Sequence, residues 1–287
     1  MNAIYCLNTF DEEKIDQIFL DIKNKIIETK ILTPEKVLII LNNASMFRNR
    51  YLKSYIYIFK RIYYEYIQKP MKEVREIYNY LLYKEYEIIY DDKHQENFKK
   101  YEEQNYSWDV HKKDTIFWAI MNDDKKLFEE FLARDDFNAS IMIYNELYQF
   151  PQQSLISLCC YHGAAECDPE TTADCLQLSF YGGDIDIINK CLKHQKLEQQ
   201  HMRDLIFMHH NDFLNLFLPE FDLSKPYLLE NYLLTCTQYN NLEAFISYLY
   251  KSNDINTCFI YSSAFNLPSL CEYLIKNGAD INAKDKK

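Results

Sequence analysis

Apolar residues recur at steps of three and four through the first ninety positions. Ile15, Ile18, Phe19, Ile22 and Ile26 make one such series, which predicts an amphipathic helix. Thr9-Phe-Asp-Glu12 precedes it as a capping box, in which Thr9 and Glu12 each satisfy an amide of the other's turn. Thr33-Pro34 reads as a second helix start, with proline at the first helical position. A third helix runs from about Tyr51 to Tyr66 and carries Leu52, Ile56, Phe59, Ile62 and Tyr63. Pro70 separates it from a fourth, with Val74, Ile77, Leu81 and Leu82. Residues 91–113 are polar and weakly periodic, so they are the expected linker between a helical N-terminal domain (1–90) and a second domain (114–287).

Beyond Thr115 the pattern becomes segmental. Asp-Ile-Asn occurs at 254–256 and again at 280–282, bracketing one unit. Within it, Ser262-Ser263 are small, Asn266 sits at a turn, and Leu270, Leu274 and Ile275 line a helix. That order describes a short inner helix, a tight turn and an outer helix. The same template places turn residues at Asn241, His209, Gly183, Gly163 and Asp123, each with an apolar helical series after it. Gly, Asn, Asp and His tolerate a left-handed backbone. Small pairs such as Cys159-Cys160 let an inner helix approach its neighbour's backbone. The turns are spaced by 40, 20, 26, 32 and 25 residues. The 20-residue interval is too short for two helices, and Asp168-Pro169 falls inside it, so one outer helix is expected to be missing or reduced to a turn.

Composition narrows the function. Only four glycines are present, which excludes a glycine-rich phosphate loop and a dinucleotide fingerprint. No Gly-x-Ser-x-Gly elbow exists. The net charge of −11 is the wrong sign for general nucleic-acid binding. The N-terminus has no basic and apolar signal segment, and the longest uncharged run, Leu147 to Ala165, is too polar to span a bilayer. The expected location is therefore cytoplasmic. Nine cysteines, several among apolar neighbours, read as small hydrophobes in a reducing compartment. The sequons at Asn43, Asn105 and Asn138 carry no weight without secretion.

The last unit resembles the ankyrin repeat family. Leu270-Cys-Glu-Tyr-Leu-Ile-Lys-Asn-Gly-Ala-Asp-Ile-Asn-Ala-Lys-Asp matches the second half of its consensus, and Thr257 matches its threonine. Cys258, Phe259 and Ile260 stand where Pro-Leu-His is usual. The whole chain looks like the expanded ankyrin families of certain parasitic protists. Tyr55-Ile-Tyr-Ile-Phe-Lys, Asp109-Val-His-Lys, Ser157-Leu-Cys-Cys-Tyr-His-Gly-Ala and Pro268-Ser-Leu-Cys-Glu-Tyr-Leu carry that likeness. The resemblance implies an all-α fold: a helical N-terminal domain of unknown role, then a short, irregular ankyrin-like α-solenoid. It implies a non-enzymatic protein-protein interaction adaptor, with no cofactor, an unidentified protein partner, no nucleic acid and no membrane insertion. Partner contact is expected on the tips (Asp254, Asn256, Asp280, Asn282), and the inner-helix tyrosines (Tyr161, Tyr181, Tyr239, Tyr261) read equally as interface anchors or as core packing. Stopping after a tip, with only Lys284, Lys286 and Lys287 to polarise the end, suggests a truncated relative of a longer array.

Other groupings compete with this one. His194, Glu198 and His201 would share a helical face and form a zinc site in a metal-dependent enzyme; the plainer reading is a polar connector. Cys159, Cys160, His162, Cys167 and Cys175 offer metal or redox chemistry, or a Cys160-His162 nucleophile, against a simple packing role. Arg48 to Arg61 (RNRYLKSYIYIFKR) interleaves basic and aromatic residues, as single-stranded RNA or phospholipid sites do, but also reads as a packed helix with a basic outer face. A degenerate copy with no retained partner is the remaining alternative.

Overall fold

The computed structural model describes residues 1–69, 74–89, 92–167, 175–252 and 254–284. Pro70, Asp168-Pro169, Lys286 and Lys287, each given a role by the sequence pattern, lie outside these. The fold is all-α. Among the described residues, seventeen helices are accompanied by one two-stranded antiparallel hairpin, β1 (Met142–Tyr144) and β2 (Gln152–Ser154), with Ile143 opposite Gln153.

Residues 1–110 build the first core from α1 (Asn2–Tyr5), α2 (Glu12–Ile22), α3 (Pro34–Phe47), α4 (Leu52–Ile62), α5 (Glu76–Tyr86) and α6 (Phe98–Glu103). Thr33 caps α3 by accepting from the Lys36 amide, with Pro34 at the first position. The cap of α2 is not the one the sequence pattern predicts. Asp11 accepts from the Glu13 and Lys14 amides, and the Thr9 hydroxyl accepts only from the Asp11 amide. An aspartate next to the helix also suits its positive N-terminal end. Ile15, Phe19 and Ile22 of α2 join Ile56, Phe59 and Ile62 of α4 in one buried cluster. Part of the stretch expected as a linker, 91–113, contributes to this cluster too. Phe98, Tyr101, Tyr106 and Trp108 are buried in it, and aromatic contacts such as Tyr80 to Phe98 (5.7 Å) hold them. Four apolar anchors in a polar stretch give too weak a period to read, yet they bury enough surface to fix the segment.

The second half alternates two rows of helices. The inner row is α7 (Ile116–Asn122), α9 (Leu155–His162), α10 (Leu176–Gly182), α12 (Gln199–Phe207), α14 (Pro226–Gln238) and α16 (Ile255–Ser262), each touching the next. The outer helices α8 (Lys125–Leu132), α11 (Ile185–Leu192), α13 (Asn211–Phe217), α15 (Leu242–Ser252) and α17 (Pro268–Lys276) fold back on α7, α10, α12, α14 and α16. After α9 the described chain makes only a 3-10 turn, Ala165–Cys167.

Five expected turn residues are left-handed: Asp123 (φ 53), Gly163 (φ 63), Gly183 (φ 73), His209 (φ 56) and Asn266 (φ 53). The sixth is Asn240 (φ 54), not Asn241. Asn241 has another task. Its buried side chain accepts from the Ala244 amide, capping α15, and donates to the Ile206 carbonyl and to Asn211 Oδ1.

Two helices of the inner row, α9 and α10, approach each other closely at Gly182. A Cβ built on Gly182 would stand 2.4 Å from the Cys160 carbonyl oxygen and 2.4 Å from the Gly163 nitrogen. The small residues Cys159, Cys160 and Ser179 at this contact are fully buried. Gly182→Ala must therefore push two backbones apart. It is expected to lower stability by about 1–3 kcal/mol, read as a fall in the denaturant midpoint with an unchanged slope. A midpoint equal to the wild type would remove the close approach from the account.

Candidate functional site

The inner-row tyrosines were the first expected contact residues, and the chain itself meets two of them. Tyr161 is buried, and its hydroxyl donates to the Met46 carbonyl at the end of α3. Tyr181 is buried with its ring 5.0 Å from Phe47. Phe47 also lies 4.5 Å, edge-on, from Phe207 of α12. Two more contacts run along the same seam. Arg48 Nη2 is 3.1 Å from His210 Nε2, and the Tyr5 ring stacks on His209 at 4.1 Å. Asn266 extends the seam to the last unit, donating to the Lys30 and Ile31 carbonyls. The N-terminal helices thus cover α9, α10 and α12 of the inner row and reach the turn before α17. Tyr161 and Tyr181 therefore make their contacts within the chain, with Met46 and Phe47 against them, which is the core-packing reading of these two residues. Tyr239 is half-buried and shielded by Phe207, whose ring is 4.3 Å away.

The other expected residues gather elsewhere. A cleft of about 970 Å³ opens between the connection that leaves α13, the start of α14, the end of α15, and α16 with the tip after α17. Asp254, Asn256, Tyr261 and Asp280 all line it. Its wall includes the apolar residues Leu218, Phe221, Leu223, Leu229 and Ile260, and Lys251 and Lys284 stand among the carboxylates at its rim. The polar tips are held in place by their own hydrogen bonds. Asp254 caps α16 through the Thr257 amide (3.2 Å). Asn256 Oδ1 accepts from the Asp280 amide (2.8 Å), which ties the last tip to α16. Asp280 in turn accepts from the Asn282 amide (2.9 Å), so Asn282 supports the tip from outside the cleft. The size is that of a ligand or side-chain pocket. The connection from Leu218 to Ser224 was missed in the sequence; Pro219, within the 3-10 turn there, was its one available sign.

The rival chemistries find no such gathering. His194 lies before α12 begins, Glu198 is the N-cap of α12, and His201 is buried with Nδ1 accepting from the Glu198 amide (2.8 Å). The three do not share a helical face, so the zinc arrangement is corrected to a capping box. Among the described residues no group of three His, Cys, Asp or Glu is arranged to hold a metal ion. Cys160 is buried, and contact with the Cys175 and Cys191 thiols, together with burial, pushes its pKa far up. His162 Nε2 is engaged by Tyr148 at 2.8 Å, and burial pulls its pKa well down. That pair is a poor nucleophile and base. The basic-aromatic stretch is mostly α4, which buries Tyr55 and Phe59 and leaves Lys53 exposed. Among the described residues no helix is long and apolar enough to cross a membrane.

One family model matches the chain, over residues 167–248: a domain of unknown function, DUF3447. That stretch runs from the end of the turn after α9 into α15. Nothing matches among curated proteins or solved structures.

The seam contains a hydrogen-bond relay that reports on its packing. Tyr148 OH lies 2.6 Å from His111 Nε2 and 2.8 Å from His162 Nε2. One hydroxyl donates to one ring and accepts from the other, which serves both rings in their neutral forms, and burial disfavours the charged form. Burial lowers the pKa of His111 to about 4 from the usual 6.5. The unfolded chain takes up this proton near the higher value and the folded chain only near the lower one. Stability is then full above 6.5 and is lost as pH falls toward 4, on the order of 3 kcal/mol from His111 alone. Denaturant midpoints measured between pH 7.5 and 4.5 are expected to drop, and to drop less in His111→Gln. A flat profile would mean that the ring is accessible and already titrates normally.

Proposed function

We propose that this protein is a non-enzymatic protein-protein interaction adaptor that takes its partner at the cleft of the last units. The observation that carries this is the convergence of Asp254, Asn256, Tyr261 and Asp280 on one cavity with an apolar wall. Such a surface suits a partner segment with an apolar anchor and polar flanks. Interfaces of this kind draw most of their affinity from a few anchors seated in a desolvated pocket. Charges of both signs at the rim, Lys251 and Lys284 beside Asp254 and Asp280, then set register and exclude wrong partners.

The family match supports an array of the ankyrin type, since that domain is often associated with ankyrin repeat proteins. The likeness of residues 270–284 to the ankyrin consensus points the same way, as does the left-handed turn that recurs between helices. These features favour a cytoplasmic scaffold of the expanded protist type. Its inner helices α9, α10 and α12 are occupied by the N-terminal helices, and its exchangeable surface is the cleft together with the tips.

Crosslinking mass spectrometry with the full chain, in lysate from its source, tests this. Crosslinks to a recurring partner are expected from Lys251 and Lys284. Ile260→Asp and Asp280→Lys, each checked for unchanged helical content, are expected to reduce capture of that partner by at least about tenfold, the effect of losing one anchor. A partner that crosslinks only to other faces, and is captured equally by both variants, would overturn the assignment.

A further inference from the structure

A second pocket lies on the N-terminal helices, away from the cleft. It has a volume of about 480 Å³ and is built on one face of α4. Lys53, Tyr57, Lys60 and Arg61 recur at steps of three and four, so their side chains stand in one row. Trp108 and Tyr86 close the other side. This is the outer part of the basic-aromatic stretch, for which the adaptor function has no use.

Three properties of the pocket point to a ligand. The first is charge. Three cations line it against one carboxylate, Glu85, on a chain whose net charge is −11. The second is that two of the cations have carboxylate partners at the surface. Lys53 Nζ pairs with Asp109 at 2.6 Å and Arg61 pairs with Asp16, while the Arg61 guanidinium also lies over the Phe19 ring at 3.9 Å. Exposed pairs contribute little and are readily exchanged. Lys60 rests on the face of the Tyr86 ring, with Nζ 4.1 Å from its centroid. The third is an unused donor. Trp108 is only 4% exposed, yet its indole Nε1–H has no hydrogen-bond partner among the described residues. A buried donor left unmatched costs free energy, and a ligand whose acceptor reaches the indole edge would relieve that cost.

We infer that this pocket is a binding site for a small organic phosphate, a phosphate monoester carried on an aromatic or apolar body. The phosphate carries a charge of about −1.5 to −2, enough to displace Asp109 and Asp16 from Lys53 and Arg61. The Arg61 guanidinium offers a planar fork for two phosphate oxygens, and Lys60 adds a point charge. The body of the ligand lies against the exposed Tyr57 ring, with Ile56 beneath it. A nucleic-acid strand fits less well. It needs a continuous basic track, and the surrounding protein repels it.

The test is nuclear magnetic resonance of the indole N–H groups in the full chain. There are two tryptophans, and Trp118→Phe identifies the signal of Trp108. The probes are phenyl phosphate, inorganic phosphate, vesicles containing phosphatidic acid, and a short single-stranded RNA. Phenyl phosphate is expected to move the Trp108 signal saturably and leave Trp118 still. Lys60→Gln is expected to weaken this binding by about tenfold, the size of one lost charge-assisted contact. Tyr57→Ala is expected to bring phenyl phosphate down to the affinity of inorganic phosphate. Both positions are partly exposed, so the fold survives either change. The inference is overturned if phenyl phosphate gives no saturable shift, if Lys60→Gln responds like the wild type, or if only the vesicles or only the RNA bind.

Discussion

Phe47, at the end of α3, packs against Tyr181 and Phe207 while the neighbouring Met46 carbonyl accepts from Tyr161. This contact joins the N-terminal core to the inner row of helices, and it determines which surfaces remain free. Burial of several aromatic rings at one seam contributes more than any hydrogen bond beside it. The hydrogen bonds fix the register instead. Asn49 donates to the Leu147 carbonyl, Arg75 to the Glu146 carbonyl, and Arg48 meets His210. The first two reach the connection between β1 and β2, and the third reaches the turn before α13.

What was legible in the sequence is what depends on local backbone and period. The cap at Thr33, the proline at α3 and the left-handed turns at Gly163, Gly183 and Asn266 are of this kind, because each residue meets a constraint within a few positions of itself. Asn241 shows the limit. Asparagine suits a left-handed turn and a helix cap equally, and its partners at Ile206 and Asn211 decided between them. Thr9 shows the same thing on a smaller scale, since Asp11 was an equally good cap.

The seam was not legible. Tyr161 and Met46 are 115 positions apart, and nothing in the period of α9 says which side of it will be covered. Two clues to it exist in the chain. The inner helices are rich in large aromatics where a free groove would show more polar residues, and Trp108, Tyr106 and His111 interrupt an otherwise polar stretch. The positions of the tips were more legible than the seam because their residues cap their own turns, and the cleft that Asp254, Asn256 and Asp280 line is closed by elements adjacent in sequence. The anion pocket on α4 lay between these cases. Its cations were visible at helical spacing, whereas Trp108, which supplies the unused donor, arrives from a different element.

The most direct measurement is hydrogen exchange on the full chain carrying Phe47→Asp, compared with the wild type. A buried carboxylate at this point opens the seam from one side only, and exchange reports each helix separately. Faster exchange is expected in α3 and, to a similar degree, in the facing helices α9, α10 and α12. An increase confined to α3, with those three helices as protected as before, would contradict the claim that the N-terminal helices cover and stabilise the inner row.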